Sequence, residues 1–201
     1  GKIMLKIAVF VSGGGTDLQS VIDAIEANQI NGKIVLVISN RKNAYGLERA
    51  KKAGIETAVV KKDDELIVKM LKEREVDLVV LAGYLAILSD VLIDAYPNKI
   101  INIHPSLIPS FCGPGYYGMH VHEAVLKRGV KVTGATVHFV NEEADAGPII
   151  MQDTVKVMDD DDAKTLAKRV LEVEHTILPR CVKLFCEGKI SVEGRKVKVS
   201  E

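Results

Sequence analysis

An α/β fold, an open sheet with helices on both faces, is what this 201-residue chain predicts, and two observations carry the prediction. Short β-branched runs alternate with amphipathic segments through the first half. The runs are apolar at nearly every position, as in Ile7-Ala8-Val9-Phe10-Val11 and Leu78-Val79-Val80-Leu81-Ala82. Strands separated by helices run parallel and are buried on both faces, so they lose the polar alternation of a half-exposed strand. The expected strands are 6–11, 34–39, 57–60, 78–82 and 100–104. Between them lie helices 18–27, 46–53, 65–75 and a shorter 90–95, each with helical apolar spacing and a polar or acidic start. The series reads as a Rossmann-like open sheet, parallel in its N-terminal part. After Pro114 come a Gly-rich loop, a helix over 121–127, strands near 135–140 and 149–155, a helix from 163 to about 185, and a hairpin over 190–199 around Gly194. Here the sheet is expected to turn mixed. No linker, repeat or low-complexity segment interrupts residues 1–201, which are expected to form a single domain.

Composition excludes several classes of function. Lys+Arg and Asp+Glu balance at 27 each, leaving no basic field to hold a nucleic-acid backbone. No apolar run reaches the ~18 residues of a membrane helix, and the first residues carry no leader pattern. Cys112, Cys181 and Cys186 cannot all pair and lack metal-ligand spacing, which points to a reducing compartment. The expectation is a cytoplasmic protein without nucleic-acid or membrane partners.

Three segments carry chemistry. The strand 100–104 ends by presenting Asn102 and His104, which share a face, before Pro105 and Pro109 stop it. Such strand ends are where open α/β sheets bind ligands. An amide can hold a developing oxyanion and an imidazole can pass a proton near neutral pH, a combination that suits acyl transfer. A capped strand with a satisfied histidine would explain the pair in isolation, so the rest of the chain decides. The first strand runs into Ser12-Gly13-Gly14-Gly15-Thr16-Asp17, a glycine-rich turn opening a helix, where exposed amides and the helix dipole favour a phosphate. A tight turn capped by Thr16 would need only one glycine. The G-x-G-x-x-G fingerprint and the Walker lysine are both missing, which disfavours dinucleotides and nucleoside triphosphates. In the acidic loop after 135–140, Asp145 stands in an Ala-Asp-Ala-Gly-Pro context and is a candidate to face His104, where a carboxylate would favour the imidazolium.

These segments, with Ser39-Asn40, Gly46-Leu47-Glu48-Arg49-Ala50, Ala82-Gly83-Tyr84, His138-Phe139-Val140, Gly147-Pro148 and Glu174-His175, make the chain resemble the folate-dependent glycinamide ribonucleotide formyltransferases of purine synthesis from Lys6 to about Pro179. The resemblance implies formyl transfer from 10-formyltetrahydrofolate to the amine of glycinamide ribonucleotide on the way to IMP, with no metal. It implies Asn102, His104 and Asp145 as the catalytic trio. Gly14, Gly15, Thr16 and Asp17 would hold the substrate phosphate, with Glu174 near the ribose or glycinamide. Leu85, Ala86, Ile87 and Leu88, with Asn102, Val140, Glu143 and Ala144, would line the pterin site, and Lys61 could meet the glutamate tail. The protein would be a monomer or a homodimer. Three departures stand out: Ala86 where relatives often carry arginine, Thr16-Asp17 where many have Ser-Asn, and a longer loop from Cys112 to Gly118. A formyltetrahydrofolate hydrolase or another formyltransferase of the superfamily would share the trio. A nucleotide-binding module without activity would explain the loop but not Asn102, His104 and Asp145 together.

Other polar residues read as structural. His138 on an apolar strand is expected to be a core histidine, and His120 with His122 lacks a third metal ligand. Cys112 has no activating cation in its Gly-Pro surroundings, so it is read as inert. Asp159 to Asp162 suits a helix start, and Tyr116 and Tyr117 suit loop packing.

Overall fold

The computed structural model describes residues 3–200; Gly1, Lys2 and Glu201, the ends of the expected 1–201 unit, lie outside it. Its elements in chain order are β1 (Leu5–Val11), α1 (Thr16–Glu26), β2 (Gly32–Ser39), α2 (Tyr45–Lys52), β3 (Thr57–Val59), α3 (Asp64–Glu73), β4 (Leu78–Leu81), α4 (Asp90–Ala95), β5 (Ile100–His104), α5 (Met119–Arg128), β6 (Val132–Phe139), β7 (Ile149–Lys156), α6 (Ala163–Cys186), β8 (Ile190–Glu193) and β9 (Lys196–Val199). The sheet order is β3-β2-β1-β4-β5-β6-β7-β9-β8. Neighbours from β3 to β5 run parallel, and β6 and β7 then pair antiparallel, giving the expected mixed half.

The strand period divides the core. Ile7, Val9 and Val11 point to one face, where they meet Leu18 and Val21 of α1, Leu47 of α2, Val125 of α5 and Leu178 of α6. Ala8 and Phe10 point to the other, against Ile67 and Leu71 of α3 and Leu92 of α4. Both faces of β1 are therefore dry, which is why its sequence shows no alternation.

Strand order reverses direction between β1 and β4, and the loops that leave these two strands flank a crevice, the place where open sheets bind ligands. Ser12 closes the base of the crevice. Its hydroxyl donates to Asn40 Oδ1 at 2.6 Å and accepts from the Leu85 amide at 2.8 Å, so the loops after β1, β2 and β4 are tied to one another.

The helix α1 starts at Thr16 and its N-cap is Gly15, at φ +75° with no side-chain cap, so Thr16 is not the cap that a tight-turn reading requires. A Cβ on Gly15 would lie 2.6 Å from Gly46 Cα, so the close passage of α2 demands this glycine. Gly13 and Gly14 face open space, and packing makes no such demand of them. The acidic run ends as a helix start: the Asp162 carboxylate accepts from the Thr165 amide, and the Asp162 amide donates to Thr165 Oγ1. No helix among the described residues is long and apolar enough to cross a membrane.

Candidate active site

The C-terminal end of β5 builds the centre of the site. Asn102 and His104 share a face, as the strand period requires, and Ile101 and Ile103 point into the opposite core. Because β6 runs antiparallel to β5, His138 stands directly across from Asn102. Asn102 Nδ2 lies 3.1 Å from His138 Nε2, while His138 Nδ1 lies 2.9 Å from the Phe139 carbonyl. A carbonyl only accepts, so His138 carries its proton on Nδ1 and receives the amide N–H on Nε2. Burial, first of all, pushes the His138 imidazole below its ordinary value and keeps it neutral, although the Phe139 bond and Asp145 act in the other direction. This orients Asn102 with its second N–H free. His138, expected to be a core histidine, is buried as foreseen but also belongs to the polar cluster; the signal that places it there is the register of a strand pair, which local pattern does not reveal.

Asp145 comes back to this cluster from the β6–β7 connection. The return is tight at Gly147, where a Cβ would collide with the Phe139 carbonyl. Asp145 Oδ2 lies 3.8 Å from His104 Nδ1, Asp145 Oδ1 lies 3.9 Å from His138 Nε2, and the Gly113 amide donates to Oδ2 at 2.9 Å. The other nitrogen of His104, Nε2, lies 2.9 Å from the Phe111 carbonyl. Both nitrogens of His104 thus face oxygen atoms, Nε2 at hydrogen-bond distance from the Phe111 carbonyl and Nδ1 at ion-pair distance from the Asp145 carboxylate. The structure brings Asn102, His104 and Asp145 together, with His104 only 4% exposed.

A cavity of about 200 Å³ opens against this centre, lined by Leu81, Tyr84, Leu88, Asn102, His138 and the 140–145 loop. Ala86, Ile87, Val140, Glu143 and Ala144 also lie on it, as the resemblance implied for the pterin site, whereas Leu85 and Lys61 are not among its lining residues. Ile87 is 96% exposed at the mouth, an apolar side chain without a protein neighbour to cover it. Lys61 is exposed just beyond β3, and its neighbour Lys62 lines an adjoining cleft with Ile87. Tyr84, edge-on to Phe10, is pushed up to about 12 by burial and stays protonated.

The glycine loop lies on the other side of the crevice, beside a larger cleft of about 940 Å³ lined by Thr16, Arg49, His175, Arg180 and Lys183 among others. Arg49 Nε donates to the Gly14 carbonyl at 2.6 Å, and the Gly46 amide to the Gly13 carbonyl at 3.0 Å, which hold the loop in shape. Asp17 and Glu174 are both buried, and they lie side by side where α1 meets α6, so the loop and α6 come together at two carboxyls.

The surroundings of the thiols disfavour their ionisation. Burial, and then the charge of Asp145, raise the Cys112 thiol, which disfavours a thiolate nucleophile. Cys181 and Cys186 are pushed up to about 12 by burial. Among the described residues no group of His, Cys, Asp or Glu could hold a metal ion.

The formyl transferase family model matches residues 5–182. A phosphoribosylglycinamide formyltransferase of Haemophilus influenzae is 41% identical over 198 residues, which cover 94% of this chain and 91% of that protein. The chloroplastic phosphoribosylglycinamide formyltransferase of Arabidopsis thaliana is 42% identical over 92% of this chain, and the chain spans only 66% of that relative's length. The crystal structure of glycinamide ribonucleotide transformylase 1 from Symbiobacterium toebii superposes with a TM-score of 0.93 at 40% identity, covering 98% of this chain and 95% of that one. With a family match over most of its length and a near full-length relative at 41% identity, the chain belongs to the phosphoribosylglycinamide formyltransferase family.

Proposed function

We propose that the chain transfers a formyl group from 10-formyltetrahydrofolate to the amine of glycinamide ribonucleotide, a step of de novo purine synthesis in the cytoplasm. The observation that carries this reading is the Asp145 carboxylate set between His104 Nδ1 and His138 Nε2, with Asn102 fixed beside it on the wall of the cavity. The cavity suits a pterin: apolar walls from Leu81, Leu88 and Val140 would cover the ring faces, and backbone groups of the 84–88 and 140–145 loops would meet its polar edges.

The amine attacks the formyl carbon, a C–N bond forms, and the carbonyl oxygen takes the negative charge. The free N–H of Asn102 and the His104 imidazolium stabilise that oxyanion. The bond from carbon to the folate nitrogen then breaks, and His104 gives that nitrogen a proton through Nδ1. Asp145 collects the proton lost by the attacking amine, directly or through a water, and returns it to His104. Protons balance: one leaves the amine and one arrives on the folate. On the other side of the crevice the amides of Gly14, Gly15 and Thr16 would receive the phosphate, with Glu174 near the ribose or glycinamide.

Incubation with 10-formyltetrahydrofolate, with and without glycinamide ribonucleotide, tests this. Deformylation that requires the ribonucleotide and yields its formyl derivative supports the reading. Turnover at the same rate without acceptor would make the chain a hydrolase of formyl folate.

A further inference from the structure

The glycine loop ends in a carboxylate, an awkward neighbour for the phosphate assigned to it. Asp17 is 8% exposed and Glu174 is 5% exposed, and their carboxyls are neighbours where α1 packs on α6. Ionised carboxylates are acceptors only, so with both charged the contact has no donor. Asp17 Oδ1 and His175 Nε2 are buried without a hydrogen bond, and each has the other, 3.5 Å away, as its ion-pair neighbour.

We propose that Asp17 and Glu174 hold one proton between them, and that this shared proton is the condition for phosphorylated-substrate binding at the glycine loop, which makes Asp17 a positioning residue that ties substrate affinity to pH. The proposal rests on the reading of the Gly13–Asp17 loop as a phosphate site. One proton supplies the missing donor and halves the charge that an incoming phosphate monoester, itself carrying about −1.5 to −2, would otherwise meet. Removing it as pH rises sets two buried negative charges beside a third. Burial and the neighbouring Asp17 charge raise Glu174 well above its ordinary value, and burial raises Asp17 against the Glu174 carboxyl and the His175 imidazole. The proton therefore persists upward from the usual carboxylate range.

The charged groups around the pair come from three helices. Beside Asp17 and Glu174 themselves, the adjoining cleft carries Asp23 of α1, Arg49 of α2, held by Gly14 and 3.4 Å from Gln19 Oε1, and His175, Arg180 and Lys183 of α6. All but Asp17 are unchanged in Asp17→Asn, the variant that keeps the shape and a donor while removing one ionisation. The phosphate's own ionisation near about pH 6 is common to both proteins and cancels between them.

The test measures KM for glycinamide ribonucleotide and for 10-formyltetrahydrofolate from about pH 6 to about pH 9 in the native chain, Asp17→Asn and Glu174→Gln, alongside the infrared carbonyl band of a protonated carboxyl in each. In the native chain the ribonucleotide KM rises toward tenfold per pH unit above the pair's upper apparent pKa, as loss of one required proton demands. In Asp17→Asn that rise disappears, folate KM keeps the same profile in all three proteins, and the carbonyl band seen in the native chain at neutral pH is lost in both variants. Parallel ribonucleotide profiles in the native chain and Asp17→Asn, or no protonated carboxyl at neutral pH, overturn the proposal. If glycinamide ribonucleotide is not turned over at any pH, the acceptor assignment fails. Binding of inorganic phosphate by the same three proteins then decides: pH-dependent binding that Asp17→Asn flattens upholds the shared proton, and pH-independent binding removes it.

Discussion

Asp145 has a backbone φ of +51°, a left-handed conformation that aspartate tolerates better than most residues but that still carries a cost. The conformation aims its two oxygens at two histidines, and the Gly113 amide fixes one of them. Asp145→Asn keeps this shape and removes the charge proposed to receive the amine's proton. Turnover is expected to fall by about 10²–10⁴, the range for loss of an acid–base partner, while dissociation constants for both ligands change little. Single-turnover rates with equilibrium binding check this; an Asp145→Asn protein with native turnover removes Asp145 from the mechanism. At this scale the sequence disclosed Asn102, His104 and Asp145, because each sits in a local signal: a strand end before prolines, or a lone aspartate before Gly-Pro. His138 gave no such signal. Its tautomer and its hold on Asn102 come from the strand opposite, so its local pattern is that of any buried histidine.

Loops that leave β1 and β4 separate backbone demands from ligand demands. Gly15 is required twice over, by its φ of +75° and by the passage of Gly46, whereas a Cβ on Gly14 meets nothing. Gly15→Val is therefore a folding lesion: left-handed strain alone costs about 1–3 kcal/mol, and each kcal/mol lowers Tm by about 2–4 °C at this chain length. Gly14→Val is expected to keep the native Tm and folate affinity while weakening ribonucleotide binding, because the side chain covers the amides. Thermal melts with two binding titrations separate the pair; a Gly14→Val protein that binds the ribonucleotide as tightly as the native chain removes the loop from the phosphate site. The β4–α4 loop makes the complementary case. Ala86 has no polar side chain to offer a ligand, so the recognition proposed there falls to the backbone. Ala86→Pro, which deletes an amide donor, is expected to weaken folate binding more than Ala86→Arg. The reverse order, measured by folate titration, would place the pterin elsewhere. The elements themselves were legible to within a few residues, with β5 and α4 at their expected bounds. The start of α1, expected at Leu18 and found at Thr16, has a physical cause: Gly15 caps the helix through backbone conformation rather than a side chain.

Across the whole molecule, alternation of strand and helix predicts parallel pairing but not which strands are neighbours. Sheet order depends on contacts between distant segments, and the meeting of α1 with α6 is of that kind. The Asp17–Glu174 pair arises at that meeting, and neither residue's local sequence announces it. The pair also makes folding stability depend on pH, with a sign fixed by linkage. Both groups titrate higher in the folded chain than in the unfolded one, so the folded state binds more protons. Their contribution is complete below the unfolded carboxylate value of about 4.3 and is lost as pH rises through the folded values. His138 has the opposite sign: its folded value lies below the unfolded value of about 6.5, so its contribution is lost as pH falls through that region. Glu174→Gln removes the buried charge while keeping the volume and gaining an amide donor for Asp17. Urea unfolding of the native chain and Glu174→Gln across a pH series is expected to show the variant gaining stability relative to the native chain as pH rises above about 4.3, by about 1.4 kcal/mol for each unit by which folding raises the pair's titration. A stability difference that stays constant with pH would mean that Glu174 and Asp17 are ionised in the folded chain as freely as in the unfolded one.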